Sequence, residues 1–227
     1  MVLERRAEKK WFVENIPQEL KDLPNWIGFK FIPQKDKKDR KEPVNVRTGG
    51  KAMSNKPGTW ASFNEVIKRA ERPGIDAIGI GLQEPYVGID LDHSVVDGVI
   101  QPWAQKIIKR FDSYTEFSPT KTGLHILCKG ELPKGRKFPS LDIEIYQKVR
   151  FWTVTGDLVP GCKTTIEDRA SHVLAFYDEC ERKDAQRKSR QDIIEKAEKS
   201  KDGGAFAKLR AGNWQGDYPS QSEADLA

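Results

Sequence analysis

Short apolar runs with a period of two fill the middle of this chain, and stretches with helical spacing interrupt them. Asn25 to Ile32 (NWIGFKFI) reads as a strand, and a short extended piece around Val44 to Val46 ends at the turn Thr48-Gly49-Gly50. Ser62 opens a Ser-x-x-Glu capping box that Glu65 completes, which predicts a helix over Phe63 to Ala70, stopped by Pro73-Gly74. Ala77 to Leu82 and Tyr86 to Asp92 are extended runs around Gln83-Glu84-Pro85, and so short a turn predicts that they pair as a hairpin or lie as neighbouring strands. Trp103, Ile107, Ile108 and Phe111 recur at helical spacing behind Pro102, a favourable first-turn residue. Tyr114 to Phe117, Leu124 to Lys129, Asp142 to Tyr146 and Phe151 to Thr155 read as strands, and Ile166 to Cys180 as a helix. The sum is an α+β fold, one sheet of several strands with helices packed on it.

The rhythm stops near residue 180. Glu181 to Lys201 is dominated by charge, with little apolar content beyond Ile193 and Ile194, which predicts a linker or a solvated helix. Apolar residues return in Phe206, Leu209, Trp214 and Tyr218, too few for a core of their own. The expected division is therefore a folded domain over 1–180, a charged linker over 181–202, and over 203–227 the opening of a further helical domain.

Charge adds one feature. The 227 residues carry a net charge of +5, and Lys35 to Lys41 alone holds five basic and two acidic residues. A basic loop there suits a polyanion such as nucleic acid, although an ordinary solvated loop has the same composition. Cys128, Cys162 and Cys180 are far apart, with no Cys-x-x-Cys pair, which argues against a disulfide framework or a zinc site. The first residues, with Glu4, Arg5, Arg6 and Glu8 to Lys10, contain no apolar signal core, and no run approaches the ~20 residues that span a bilayer. A cytoplasmic protein without a membrane segment is the expectation.

The candidate chemistry lies in the strands. In Ile89-Asp90-Leu91-Asp92 two apolar side chains face one way and two carboxylates the other, their Cα atoms about 6.6 Å apart at the usual strand rise. Such carboxylates repel unless a proton or cation sits between them, and hard divalent ions prefer oxygen ligands. Asp-x-Asp alone also suits the wet face of an ordinary strand. Ile143-Glu144-Ile145 and Leu124-His125-Ile126 repeat the arrangement, so three predicted strands each set a polar group among apolar ones. Before His125 runs Ser118-Pro119-Thr120-Lys121-Thr122-Gly123, a loop whose hydroxyls, amides and lysine could cradle phosphate, although it is no Walker A loop.

Taken jointly, these residues resemble the archaeo-eukaryotic-type primase (AEP) superfamily, and within it the primase-polymerases of phages and plasmids. The three matching motifs are Ile89-Asp90-Leu91-Asp92-His93, Ser118 to His125, and Ile143-Glu144-Ile145-Tyr146. The flanks Trp60-Ala61-Ser62-Phe63, Tyr114-Thr115-Glu116 and Arg150 to Gly156 are similar to those of phage members, and the resemblance runs from about Pro24 to Gly161. It implies an RRM-like antiparallel or mixed sheet flanked by helices, with a charged helical extension behind it. It further implies a DNA primase and polymerase activity, in which Asp90, Asp92 and Glu144 hold two Mg²⁺ or Mn²⁺ ions. His125, Ser118, Lys121 and Thr122 would grip the triphosphate of a dNTP or NTP, with Arg150 assisting, and Lys41 and Arg47 would touch template or nucleotide. The partners implied are a single-stranded DNA template and its primer, in the bacterial host of a phage or plasmid. Ser220 to Leu226 is similar to the start of the helical segment that precedes a helicase part in larger replication proteins. Some members insert a zinc-binding stem, for which the scattered cysteines leave no room.

Three rival functions have distinguishable signatures. A DNA-binding replication-initiation module without chemistry needs no acidic cluster. A rolling-circle nicking endonuclease needs a His-apolar-His pair, and His93, His125 and His172 are not so spaced. A metal hydrolase could use the carboxylates but has less use for a histidine behind a phosphate-like loop.

Overall fold

The apolar alternation found along the chain is divided between two sheets. The computed structural model describes residues 11–35, 37–200 and 203–211. In chain order the elements begin with α1 (Gln18–Lys21), β1 (Trp26–Gln34), β2 (Lys37–Val44), α2 (Phe63–Ala70), β3 (Ala77–Gly81) and β4 (Tyr86–Leu91). They continue with β5 (Val95–Val96), β6 (Val99–Ile100), α3 (Pro102–Phe111), β7 (Thr115–Phe117), β8 (Leu124–Lys129) and β9 (Arg136–Phe138). Last come β10 (Ile143–Tyr146), β11 (Phe151–Val154), α4 (Ala170–Glu198) and α5 (Gly203–Arg210). One sheet has the order β11-β3-β1-β2 and the other β7-β8-β4-β10-β9, while β5 and β6 form a small ribbon. All these pairings are antiparallel. The mixed α+β class holds, but a single sheet does not.

β3 and β4 do not pair with each other. β3 lies between β11 and β1, and β4 between β8 and β10, so the chain changes sheets between Gly81 and Tyr86. Every residue of β3 is buried, and so is all of β4 except Asp90. A strand covered on both faces takes a central place, where it has two neighbours already. The basic run is likewise not a loop, since most of it forms β2, the edge strand beside β1. Pro43 fits there because an edge strand has one side free of ladder bonds.

The helices follow their signals. Ser62 Oγ accepts from Glu65 N–H and the Glu65 carboxylate accepts from Ser62 N–H, which caps α2 at both unmet donors. α3 begins at Pro102 and ends where Asp112 takes a left-handed φ of 39°. The last predicted helix starts at Ala170 rather than Ile166, and it runs through the charged segment to Glu198.

The two sheets share one core. Trp26, Ile78, Ile80, Trp152 and Val154 from the first meet Tyr86 and Leu127 from the second. Trp26 is wholly buried and donates its Nε1–H to the Leu20 carbonyl at 2.7 Å, so its apolar area is gained without an orphaned donor. The other face of the five-stranded sheet packs against helices: the Phe138 ring lies 5.6 Å from that of Tyr177 on α4.

The chain divides into two compact units between Glu179 and Cys180. In the second unit Arg210 pairs with Glu198 at 2.5 Å. Glu4 to Lys10, Trp214, Tyr218 and the Ser220 to Leu226 motif fall outside the described residues. No helix among the described residues is long and apolar enough to cross a membrane.

Candidate active site

Five polar side chains stand in one row across the five-stranded sheet. In register these are Glu116 on β7, His125 on β8, Asp90 on β4, Glu144 on β10 and Lys137 on β9. Residues directly opposed in antiparallel strands share a face, so the row follows from pairing alone. Ile89, Leu91, Ile126, Ile143 and Ile145 alternate with it and point to the apolar side. On the polar face two rows away, Gly88 opposes Leu127. A Cβ on Gly88 would lie 2.8 Å from three atoms of the Trp152 ring. Glycine there lets Trp152, on the neighbouring sheet, lie flat on β4 and bring its ring to 4.8 Å from that of His125.

The row has a dry end and a wet end, with the Glu144 side chain, 10% exposed, drier than Asp90 beside it. Glu116 is 0% exposed and His125 3%, whereas the Asp90 side chain is 26% exposed and that of Lys137 55%. His125 Nδ1 sits 3.3 Å from Glu116 Oε1, and His125 Nε2 4.0 Å from Asp90 Oδ1. Glu144 is claimed on both oxygens: Lys137 Nζ lies 2.5 Å from Oε1 and Arg150 3.2 Å from Oε2. Arg150 also stacks 4.5 Å from the Tyr146 ring. Burial pushes the Asp90 carboxyl above its ordinary value; Asp92 and Glu144 add to the rise, while His125 and Lys41 oppose it.

Two cavities open over this face. One of about 340 Å³ is lined by Asp90, His125, Glu144, Tyr146, Arg150, Trp152 and Lys41, among others. The second, about 220 Å³, is lined by Asp90, Asp92, His125, Ser118, Thr120, Lys41, Asp39 and Phe31. Alternation on β2 explains why Asp39 and Lys41 reach it while Arg40 pairs with Glu42. The loop before His125 is tied together by hydroxyls. Ser118 Oγ accepts from Gly123 N–H and lies 3.2 Å from Thr120 Oγ1, which is 2.9 Å from Thr122 Oγ1.

The residues singled out in the sequence separate into two groups. Asp90, His125, Glu144 and Arg150 border the larger cavity, and Asp92, Ser118 and Lys41 join Asp90 and His125 around the smaller. Lys121 and Thr122 line neither. Lys121 takes a left-handed φ of 58° and turns its ammonium to Asp157 at 3.0 Å. Arg47 is engaged elsewhere: it grips both oxygens of Glu65 at 2.7 and 2.8 Å and donates to the Trp60 carbonyl. That fork buttresses the cap of α2. Glu116, Lys137, Thr120 and Trp152 belong to the site and were not singled out. Glu116 and Trp152 were legible only as flanks of the motifs, and Lys137 carried no signal in a Pro- and Gly-rich stretch.

Among the described residues, no three Asp, Glu, His or Cys side chains are gathered closely enough to hold a metal ion. The donor set nonetheless suits a hard cation. Burial, with Asp92 and Glu144 as further causes, raises the Asp90 carboxyl, a charge penalty that an oxygen-preferring divalent ion would relieve.

The sheet thus brings carboxylates, a histidine and cations to one cavity. No family model matches the chain. Over 140 residues it is 35% identical to the protein described as DNA Primase-polymerase from Nitratiruptor phage NrS-1. The match covers 58% of this chain and 20% of that protein, so the chain spans about a fifth of its relative.

Proposed function

We propose that residues 1–180 are the catalytic domain of an AEP-type primase-polymerase from a phage or plasmid replication protein. It would add nucleotides to a 3′-hydroxyl on a single-stranded DNA template. The observation that carries this reading is the register of Asp90 with His125 on one side and Glu144 on the other, at the mouth of a cavity. The relative's description supports the same activity.

Asp90, Asp92 and Glu144 would hold Mg²⁺ or Mn²⁺. Such ions, when bound, lower the pKa of a hydroxyl and offset charge on phosphoryl oxygens. In the reaction the primer 3′-hydroxyl gives its proton to solvent, its oxygen bonds to the α-phosphorus, the bond to the bridging oxygen breaks, and pyrophosphate leaves with the electron pair. Arg150 and Lys137 supply donors to the triphosphate, His125 Nε2 faces it, and the Ser118 and Thr120 hydroxyls line its other side. Lys121 and Thr122 would join only after the loop leaves its present bonds. Lys41 faces the same space from β2, where template or nucleotide would lie. Trp152 and the sheet edge exclude water from one side of His125, which strengthens every charge contact there.

One observation favours a second reading, a DNA-binding replication-initiation module without chemistry: Glu144 is already neutralised by two cations. Extension of a labelled primer on a single-stranded template, with Mg²⁺ or Mn²⁺ and dNTPs or NTPs, separates the two. The expected result is synthesis by the native chain and none by Asp90→Ala with Asp92→Ala, with DNA binding retained by both. Undiminished synthesis by the double variant refutes the site.

A further inference from the structure

Glu116 is a carboxylate with no exposure at all, at the dry end of the row and in the lining of neither cavity. Three of its neighbours are fixed hydrogen-bond donors. Gly156 N–H donates to Oε2 at 2.8 Å, Thr155 N–H reaches both oxygens at 3.1 and 3.0 Å, and the Tyr114 hydroxyl donates to Oε2 at 2.7 Å. The fourth neighbour is His125 Nδ1, 3.3 Å from Oε1. Gly156 has a φ of +66°, and a Cβ on it would lie 2.0 Å from the Phe12 carbonyl oxygen, so only glycine can present its amide here.

We propose that Glu116 is a positioning residue, which fixes the His125 ring with a proton on Nδ1 and leaves Nε2 as the one ring nitrogen turned to the cavity. An ionised carboxylate only accepts, so the nitrogen beside it must donate. The choice of nitrogen is then made on the buried side of the ring, by groups that no ligand displaces. Trp152, against the ring face, resists its rotation. This is the arrangement by which a buried carboxylate orients a working histidine through its far nitrogen. The functional half of the inference rests on the nucleotide-handling role proposed above; the assignment of the ring does not.

The variant that tests it is Glu116→Gln. Its amide oxygen can keep the Oε2 position, where three donors converge, and its NH₂ then takes the Oε1 position facing Nδ1. Two donors cannot face each other, so Nδ1 must give up its proton and Nε2 must carry it. The chain has only three histidines, so ¹⁵N-histidine correlation spectra are simple, and Asn in place of His125 identifies its signals. In the metal-free native chain Nδ1 is expected to bear a proton, whether or not Nε2 also does. In Glu116→Gln the Nδ1 signal is expected to change to the unprotonated type, and the KM for nucleotide to shift about tenfold with a smaller change in kcat, because the proton pattern that the ring presents to the cavity changes. An unprotonated Nδ1 in the native chain overturns the proposal, and so does an unchanged spectrum with an unchanged KM in the variant. Should Glu116→Gln not fold, the native spectrum still decides the assignment. Absence of nucleotide incorporation by the native chain would end the polymerase reading while leaving the tautomer to be judged on the spectrum.

Discussion

Asp90 and Glu144 oppose each other in register on β4 and β10, yet their surroundings differ: Glu144 is held by Lys137 and Arg150, while Asp90 faces a histidine nitrogen 4.0 Å away. The charge left over at Asp90 has a thermodynamic consequence. Burial first, then Asp92 and Glu144, put its carboxyl above the ordinary value. An acid whose folded value is raised binds its proton more tightly in the native chain, so stability is greatest below the unfolded value of about 3.9 and falls as pH rises through the folded one. Asp90→Asn is therefore expected to stabilise the metal-free protein at pH 7 by about 1 kcal/mol, as relief of a functional site commonly does. The gain should shrink as pH falls towards the ordinary carboxylate value. Thermal or denaturant unfolding at the two ends of that range checks it, and an equal gain at both would show that charge is not the cause.

Trp152 can reach His125 only because Gly88 has no side chain. Gly88→Ala would drive a Cβ to 2.8 Å from the indole, whose retreat loosens the core that Trp152 shares with Tyr86 and Leu127. The expected loss is about 1–3 kcal/mol, together with weaker nucleotide binding as the support behind His125 shifts. Gly58→Ala is the control, because nothing lies within 4 Å of a Cβ there. Unfolding curves and nucleotide titration of both variants distinguish a specific clash from a general cost of losing glycine.

Lys41 and Arg47 looked equivalent as basic residues of one segment, and the fold separates them. Lys41 lines both cavities; Arg47 is engaged by Glu65 and the Trp60 carbonyl. Arg47→Ala should lower the melting temperature with DNA affinity and its salt dependence unchanged. Lys41→Ala should weaken binding of DNA or nucleotide with little loss of stability, and a titration over several salt concentrations reads both effects.

That separation shows where the sequence is informative and where it is not. Alternation in Ile89 to Asp92, Leu124 to Ile126 and Ile143 to Ile145 was enough to put Asp90, His125 and Glu144 each on a polar face. Which residue opposes which is a matter of register, set by long-range pairing, and nothing local to any of the three strands encodes it. β3 is apolar or glycine at every position and β4 is so from Tyr86 to Ile89, so the alternation that begins at Ile89 came too late to assign either strand to a sheet. Lys137 sits in a three-residue strand inside Lys134-Gly135-Arg136-Lys137-Phe138-Pro139, a stretch with loop composition, and only its pairing with β10 brings it to Glu144. Lys121 failed in the other direction: its loop reads as a phosphate cradle, but a left-handed backbone turn aims the side chain at Asp157. In the charged segment after residue 180, propensity alone decides between linker and helix, and the chain is helical to Glu198.

Lys137 and Arg150 offer the last and most discriminating prediction. Both cations sit on Glu144, and the Glu144 contact raises the Lys137 ammonium above its ordinary value. A triphosphate carries more negative charge than one carboxylate and would draw them away, freeing Glu144 for a divalent ion. If so, Lys137→Met should have two opposite effects. Mn²⁺ should bind the nucleotide-free protein several-fold more tightly, because Glu144 has lost a competitor, while nucleotide should bind several-fold more weakly, because the phosphates have lost a donor. Arg150→Met should shift both in the same directions, less strongly for the metal, since its contact with Glu144 is longer at 3.2 Å than the 2.5 Å of Lys137. Calorimetric titrations of Mn²⁺ and of a non-hydrolysable nucleotide, each with and without the other, measure both arms. A fall in both affinities would mean that Lys137 merely supports the fold, and no change in either would separate β9 from the chemistry of the row.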